Sequence, residues 1–238
     1  MSELKDRVAV ITGASQGIGE AIAHRLASMG AAVVLSGRDI GRLERVRHDI
    51  ESTGRHAVSA PCDLQDAESV AQLGIHVGEL FGRCDILVNN AGVGITGKPL
   101  FETTLAEWMQ MMQTNLRGPF LTIKAFAPMM IAAKHGHIIN ISSLAGRNPL
   151  PLGAAYAASK WGLNGLTYSV AEELRAYNIR VSVIAPGSVN THFGSGESGK
   201  NPARMLQPQD VAHVVAMLVT QATPSFVSEV LMRPTQKP

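Results

Sequence analysis

The chain has 238 residues, 45% of them apolar, and 21 Lys and Arg balance 19 Asp and Glu to a formal charge of +2. This length suits one sizeable core, expected to span residues 1–238 as a single domain, and the small charge argues against a nucleic-acid partner or an anionic membrane surface. Two cysteines, Cys62 and Cys84, are too few for a disulfide framework and have no metal-ligand spacing, so no metal and a reducing, cytoplasmic setting are expected.

Val8 to Ile11 is an apolar, β-branched run that reads as a first strand. Directly after it stands Thr12-Gly13-Ala14-Ser15-Gln16-Gly17-Ile18-Gly19, which opens a helix-like stretch, Gly17 to Met29, stopped by Gly30. Glycines between a strand and a helix allow a tight turn, a close approach of main-chain amides to a pyrophosphate, and close helix packing. The turn therefore predicts dinucleotide binding through Gly13, Ser15, Gln16, Gly17, Ile18 and Gly19. It lacks the lysine of a nucleotidase phosphate loop.

The second strand, Ala32 to Leu35, leads into Ser36-Gly37-Arg38, with no carboxylate in the first positions after it. A carboxylate there would bond the ribose hydroxyls of NAD, whereas a guanidinium suits a 2′-phosphate, so Arg38 favours NADP over NAD. Asp39 reads as the N-cap of the next helix, Ile40 to Ser52. Arg42, Arg45 and Arg47 on that helix read as a solvated face.

Further strands are expected at Ala57 to Ser59, Ile86 to Asn89, His137 to Ser142, Arg180 to Ile184 and Val227 to Met232, with a helix from Asp66 to Phe81 stopped by Gly82. Strands joined through helices cannot be hairpins, so the fold class is α/β: a Rossmann-type, doubly wound parallel sheet of about seven strands with helices on both faces. Trp108, Met109, Met111, Met112, Met129 and Met130 read as packing or subunit contact, as does Trp161. His135 and His137 lack acidic or thiolate company and read as a helix exit into the fifth strand. Residues 191–207, rich in Gly, Ser, Asn and Pro, read as a mobile substrate loop. No apolar run has the eighteen or so residues a membrane helix needs.

Tyr156 and Lys160 stand four apart on a helical stretch, which makes their side chains neighbours. A cation beside a phenol stabilises the phenolate, so Lys160 is expected to lower the pKa of Tyr156 and fit it for proton transfer. Singly, Asn89, Asn90, Asn115, Ser142 and Ser143 read as turn, cap or strand-end residues.

Taken together and in order, these motifs resemble the short-chain dehydrogenase/reductase family from Val8 to about Thr191. The resemblance implies that Asn115, Ser143, Tyr156 and Lys160 are catalytic, with Ser143 thirteen residues before the tyrosine. It further implies that Asp63 and Leu64 meet the adenine, that Asn90, Ala91 and Gly92 follow the fourth strand beside the cofactor, and that Pro186, Gly187, Val189 and Thr191 line the nicotinamide. Lys160 is also implied to bond the nicotinamide ribose, and Asn115 to hold a water linking Lys160 to solvent.

The chain is most similar to reductases of 3-oxoacyl carrier-protein thioesters, which use NADPH, and this implies a possible acyl carrier protein partner and a homodimer or homotetramer. Lys134 matches a basic carrier-docking position there; Tyr177 does not, although Arg175 and Arg180 offer compensating charge. Glu229 to Pro234 replaces a glycine-rich stretch and is more like reductases of small 3-hydroxy acids or other small carbonyl compounds. Val93, Gly94, Ala145, Asn148, Leu150, His192 and Phe193 are expected around the substrate. An NADP-binding regulator with silent catalytic residues is the alternative of another class.

Overall fold

The computed structural model describes residues 3–191, 193, 201–222 and 225–238. Seven strands, β1 (Val8–Thr12), β2 (Ala32–Gly37), β3 (Ala57–Pro61), β4 (Ile86–Asn89), β5 (Gly136–Ile141), β6 (Ile179–Pro186) and β7 (Glu229–Met232), pair in parallel in the order β3-β2-β1-β4-β5-β6-β7. The strand order reverses between β1 and β4, and a crevice opens there beyond the carboxyl ends of the strands. The described β7 is shorter than expected and begins at Glu229 rather than Val227.

Among the described residues, seven α-helices cover the sheet: α1 (Gly17–Ser28), α2 (Ile40–Glu51), α3 (Ala67–Phe81), α4 (Leu105–Met112), α5 (Gly118–Ala133), α6 (Ala154–Arg175) and α7 (Pro208–Val219). Because side chains alternate along a strand, each strand feeds two cores. Ile11, Val33, Leu35, Val88 and Ile139 pack against Ile22 and Leu26 of α1, Leu43 and Val46 of α2 and Val215 of α7. Val10, Val34, Leu87, Ile138 and Val181 face the other way, onto Leu73 and Val77 of α3, Phe126 and Met130 of α5 and Leu174 of α6.

The helix ends follow local chemistry. Asp39 caps α2 by accepting from the Arg42 backbone N–H at 3.1 Å, and Asp66 caps α3 through Glu68 at 3.0 Å. Gly82 closes α3 in the left-handed region at φ 66°. Among the described residues no helix is long and apolar enough to cross a membrane.

Candidate active site

A cleft of about 1810 Å³ runs along the carboxyl edge of the sheet and is lined by every expected cofactor and catalytic residue except Gly19 and Asn115. Gly19 lies beneath the glycine turn. A methyl group added to it would stand 2.2 Å from the Gly13 carbonyl oxygen, and one added to Gly13, at φ +65°, would stand 2.9 Å from Ala91 Cα. Only bare backbone fits this close approach. Asn90 pins the same turn: its Nδ2 donates to the Thr12 and Gly13 carbonyls at 3.0 and 3.2 Å. Thr12 Oγ1 in turn accepts from the backbone N–H groups of Asn90 and Ala91 at 3.0 and 3.1 Å. Thr12 was not singled out from the sequence, where a threonine ending a strand carries no distinguishing signal.

Four arginines line the cleft. Arg42 and Arg45 are tied to Asp39 and Glu20, and Arg42 also donates to Gln16 in the glycine turn. The expected solvated face holds: Arg42 and Arg45 are exposed while reaching the turn, and Arg47, half-buried, pairs with Glu44 and Glu51. Arg38 is exposed and has no ion pair or hydrogen bond among the described residues. The cradle of bare backbone and this unpaired cation fit a dinucleotide with a 2′-phosphate. Asp63 holds the Gln65 backbone N–H at 3.0 Å at the cleft wall, beside buried Leu64.

At the other end, α6 carries Tyr156 and Lys160, both buried. Burial pushes the Tyr156 phenol up to about 12, opposed by a hydrogen bond with Ser143 that lowers it. The expectation that Lys160 lowers the phenol is corrected here. Lys160 Nζ lies 5.9 Å from the centre of the phenol ring and donates instead to the Ile141 carbonyl at 2.9 Å. Burial brings its own ammonium down to about 8. At neutral pH the pair is thus a protonated phenol beside a cation close to its titration point.

Asn115, which singly read as a capping residue, sits in a π-helical turn, Gln113–Arg117, that joins α4 to α5. Such an extra-residue turn is frequent at functional sites. In its side chain, Oδ1 accepts from the Val93 N–H at 2.8 Å, and Nδ2 donates to the Val93 carbonyl at 2.8 Å and to Ser159 Oγ at 3.0 Å. These bonds clamp the strand exit at Val93. Ser143 follows β5 and starts a short 3-10 turn, accepting from the Ala145 N–H at 3.1 Å.

Of the expected substrate wall, Val93, Gly94, Ala145, Leu150 and Phe193 line the cleft. Asn148 does not; its backbone N–H bonds the Leu144 carbonyl. His192 and residues 194–200 of the expected loop lie outside the described residues. Phe193 reaches over Tyr156, ring centres 6.0 Å apart, and fits only because Gly94 has no side chain. The loop's two stems are held together, with Asn190 N–H donating to the Leu206 carbonyl at 2.8 Å and Leu206 N–H to the Ser188 carbonyl at 3.0 Å.

Two features escaped the sequence reading. Arg147, just past Ser143, holds Glu229 of β7 with paired bonds of 2.7 and 2.6 Å and also donates to Tyr168 of α6. Beyond β7, residues 233–238 turn back along the cleft wall. His137, by contrast, lies in β5 as expected and is buried there, neutral because burial drives it down to about 3, with Nε2 2.8 Å from Ser182 Oγ.

Residues 7–201 match the family model described as short chain dehydrogenase. The chain is 37% identical to an uncharacterized oxidoreductase of Staphylococcus saprophyticus over 235 residues, covering 98% of this chain and 100% of that protein. A metagenomic short-chain oxidoreductase solved in complex with NADP superposes with TM-score 0.89 at 54% identity, covering 99% of this chain and 100% of that one. The alcohol dehydrogenase of the archaeon Thermococcus sibiricus, complexed with 5-hydroxy-NADP, superposes with TM-score 0.90 at 34% identity and 98% coverage of both chains. By motif, fold and relatives alike, the chain belongs to the short-chain dehydrogenase family, and it is an oxidoreductase.

Proposed function

We propose that the protein is an NADPH-dependent carbonyl reductase acting on 3-oxo compounds. The observation that carries the reading is the shared cleft, in which a glycine cradle with an unpaired Arg38 leads to half-buried Ser143 and to buried Tyr156 and Lys160. Gly13, Ser15, Gln16, Gly17, Ile18 and Gly19 would hold the pyrophosphate and Arg38 the 2′-phosphate, with Asp63 and Leu64 at the adenine. Asn90, Ala91, Gly92, Pro186, Gly187, Val189 and Thr191 would flank the nicotinamide. When bound, the cofactor supplies a hydride to the carbonyl carbon.

Negative charge then grows on the carbonyl oxygen and must be met where it forms. Ser143 donates a hydrogen bond to that oxygen, and Tyr156 gives it a proton. Lys160, a cation below about pH 8, would bond the nicotinamide ribose. Asn115 fixes the Val93 wall of the site, and the apolar side chains of Val93, Leu150 and Phe193 exclude water.

Among 3-oxo compounds, a 3-oxoacyl thioester agrees with the motif resemblance, with acyl carrier protein as its donor. Free small 3-oxo acids are favoured by two observations. Arg175 is engaged by Glu172 at 3.0 Å and Arg180 donates to the Gln221 carbonyl, so neither is a free docking charge, whereas residues 233–238 narrow the cleft mouth. A homodimer or homotetramer is favoured by the apolar side chains left exposed on α4, α5 and α6, namely Leu105, Met109, Phe120 and Trp161.

The test is NADPH and NADH oxidation with acetoacetyl thioesters, acetoacetate, sugars and aromatic ketones. Turnover of the 3-oxo compounds with NADPH is expected. Tight NADPH binding with no turnover of any carbonyl would instead point to a silent regulator.

A further inference from the structure

Within the reductase reading, the charges lining the cleft bear on the substrate. At the glycine-turn end they are mixed: Arg38, Arg42 and Arg45 alternate with Glu20 and Asp63. At the catalytic end, among the described residues, no acidic side chain lines the cleft, and the cations are Lys160, Arg233 and Lys237. Lys160 is committed to Ile141. Arg233 is exposed and has no hydrogen bond or ion pair among the described residues, which makes it, with Arg38, one of two unpaired arginines on the cleft wall.

Its place is set by backbone contacts. The Gly187 N–H donates to the Met232 carbonyl at 2.9 Å, just before Arg233. A methyl group added at Gly187 would lie 3.3 Å from Pro234 Cδ and 3.1 Å from Leu144 Cδ1. Leu144 follows Ser143 directly, so Arg233 leaves the backbone one layer of side chains away from the reacting oxygen's hydrogen-bond donor. Glu229, held by Arg147, anchors the strand that delivers it.

A guanidinium is a planar fork that takes a carboxylate with two parallel bonds. We propose that Arg233 binds a carboxylate carried by the carbonyl substrate, so that the enzyme takes short 3-oxo acids in preference to their neutral esters. Lys237, on the same segment, adds to the positive field at the cleft mouth.

The proposal rests on the carbonyl-reductase reading and is tested with acetoacetate and its ethyl ester as a matched pair under saturating NADPH. Wild-type protein is expected to favour acetoacetate in kcat/KM. Arg233→Gln is expected to raise KM for acetoacetate by about 10- to 100-fold, the range for losing hydrogen bonds to a charged group. The ester's KM and the Kd of NADPH should stay within about twofold, and Arg233→Lys should restore part of the loss. Equal effects on acid and ester, a preference of the wild type for the ester, or a loss confined to NADPH binding would each overturn the assignment while the reductase reading stands. Failure to oxidise NADPH with any of the carbonyl compounds would remove that reading, and this inference with it.

Discussion

The two ends of the cleft solve opposite problems with different materials. The glycine-turn end is built from main chain: Gly13 and Gly19 are bare, Thr12 and Asn90 pin the loop, and carboxylates already neutralise two of its arginines. The catalytic end is built from buried side chains, where desolvation holds the phenol protonated and brings the lysine near neutrality. Backbone amides suit a constant, charged ligand that must be held the same way every turnover. Buried titratable groups suit a step in which a proton has to move.

That division can be broken most severely at Tyr156. Replacing it with Phe removes the proton donor and should lower kcat by about 10³-fold, within the range for general acid catalysis, as read by NADPH absorbance with acetoacetate. Arg38→Gln acts at the other end and should weaken NADPH by about 10- to 100-fold while leaving NADH unchanged, as measured by fluorescence titration with both cofactors. The smallest effect concerns pH. Burial lowers the Lys160 ammonium, so the cation is present below about pH 8 and is lost as pH rises through that value. Reductive kcat/KM should therefore bend downward above about pH 8, falling about tenfold per unit; a profile flat to pH 10 would detach the Lys160 cation from turnover.

Much of the glycine-turn end was legible in the sequence because its signals are local. A strand, a glycine turn, a helix with a glycine stop and an arginine after the second strand are contiguous, and β-branched runs marked the sheet. The candidate residues Asn115, Ser143, Tyr156 and Lys160 were legible through their order along the chain. What stayed hidden depends on distance or on irregular backbone. A π-helical turn at Asn115 adds a residue that 3.6-residue periodicity does not register. Arg147 and Glu229 are 82 residues apart, and nothing in either neighbourhood announces the other. Residues 233–238 are polar and irregular, so no pattern says that they turn back along the cleft. The pKa of Tyr156 was misjudged because helical spacing gives proximity to Lys160 but not burial, and burial dominates.

The claim that one end holds the cofactor while the other runs the chemistry is tested most directly by measuring NADPH Kd and the single-turnover rate of NADPH oxidation on the same samples of wild type, Arg38→Gln and Tyr156→Phe. The account predicts a crossed pattern: Arg38→Gln raises Kd and leaves the rate at saturation unchanged, whereas Tyr156→Phe leaves Kd unchanged and collapses the rate. Wild-type turnover by Tyr156→Phe, or a saturated rate lowered as much by Arg38→Gln as by Tyr156→Phe, would contradict it.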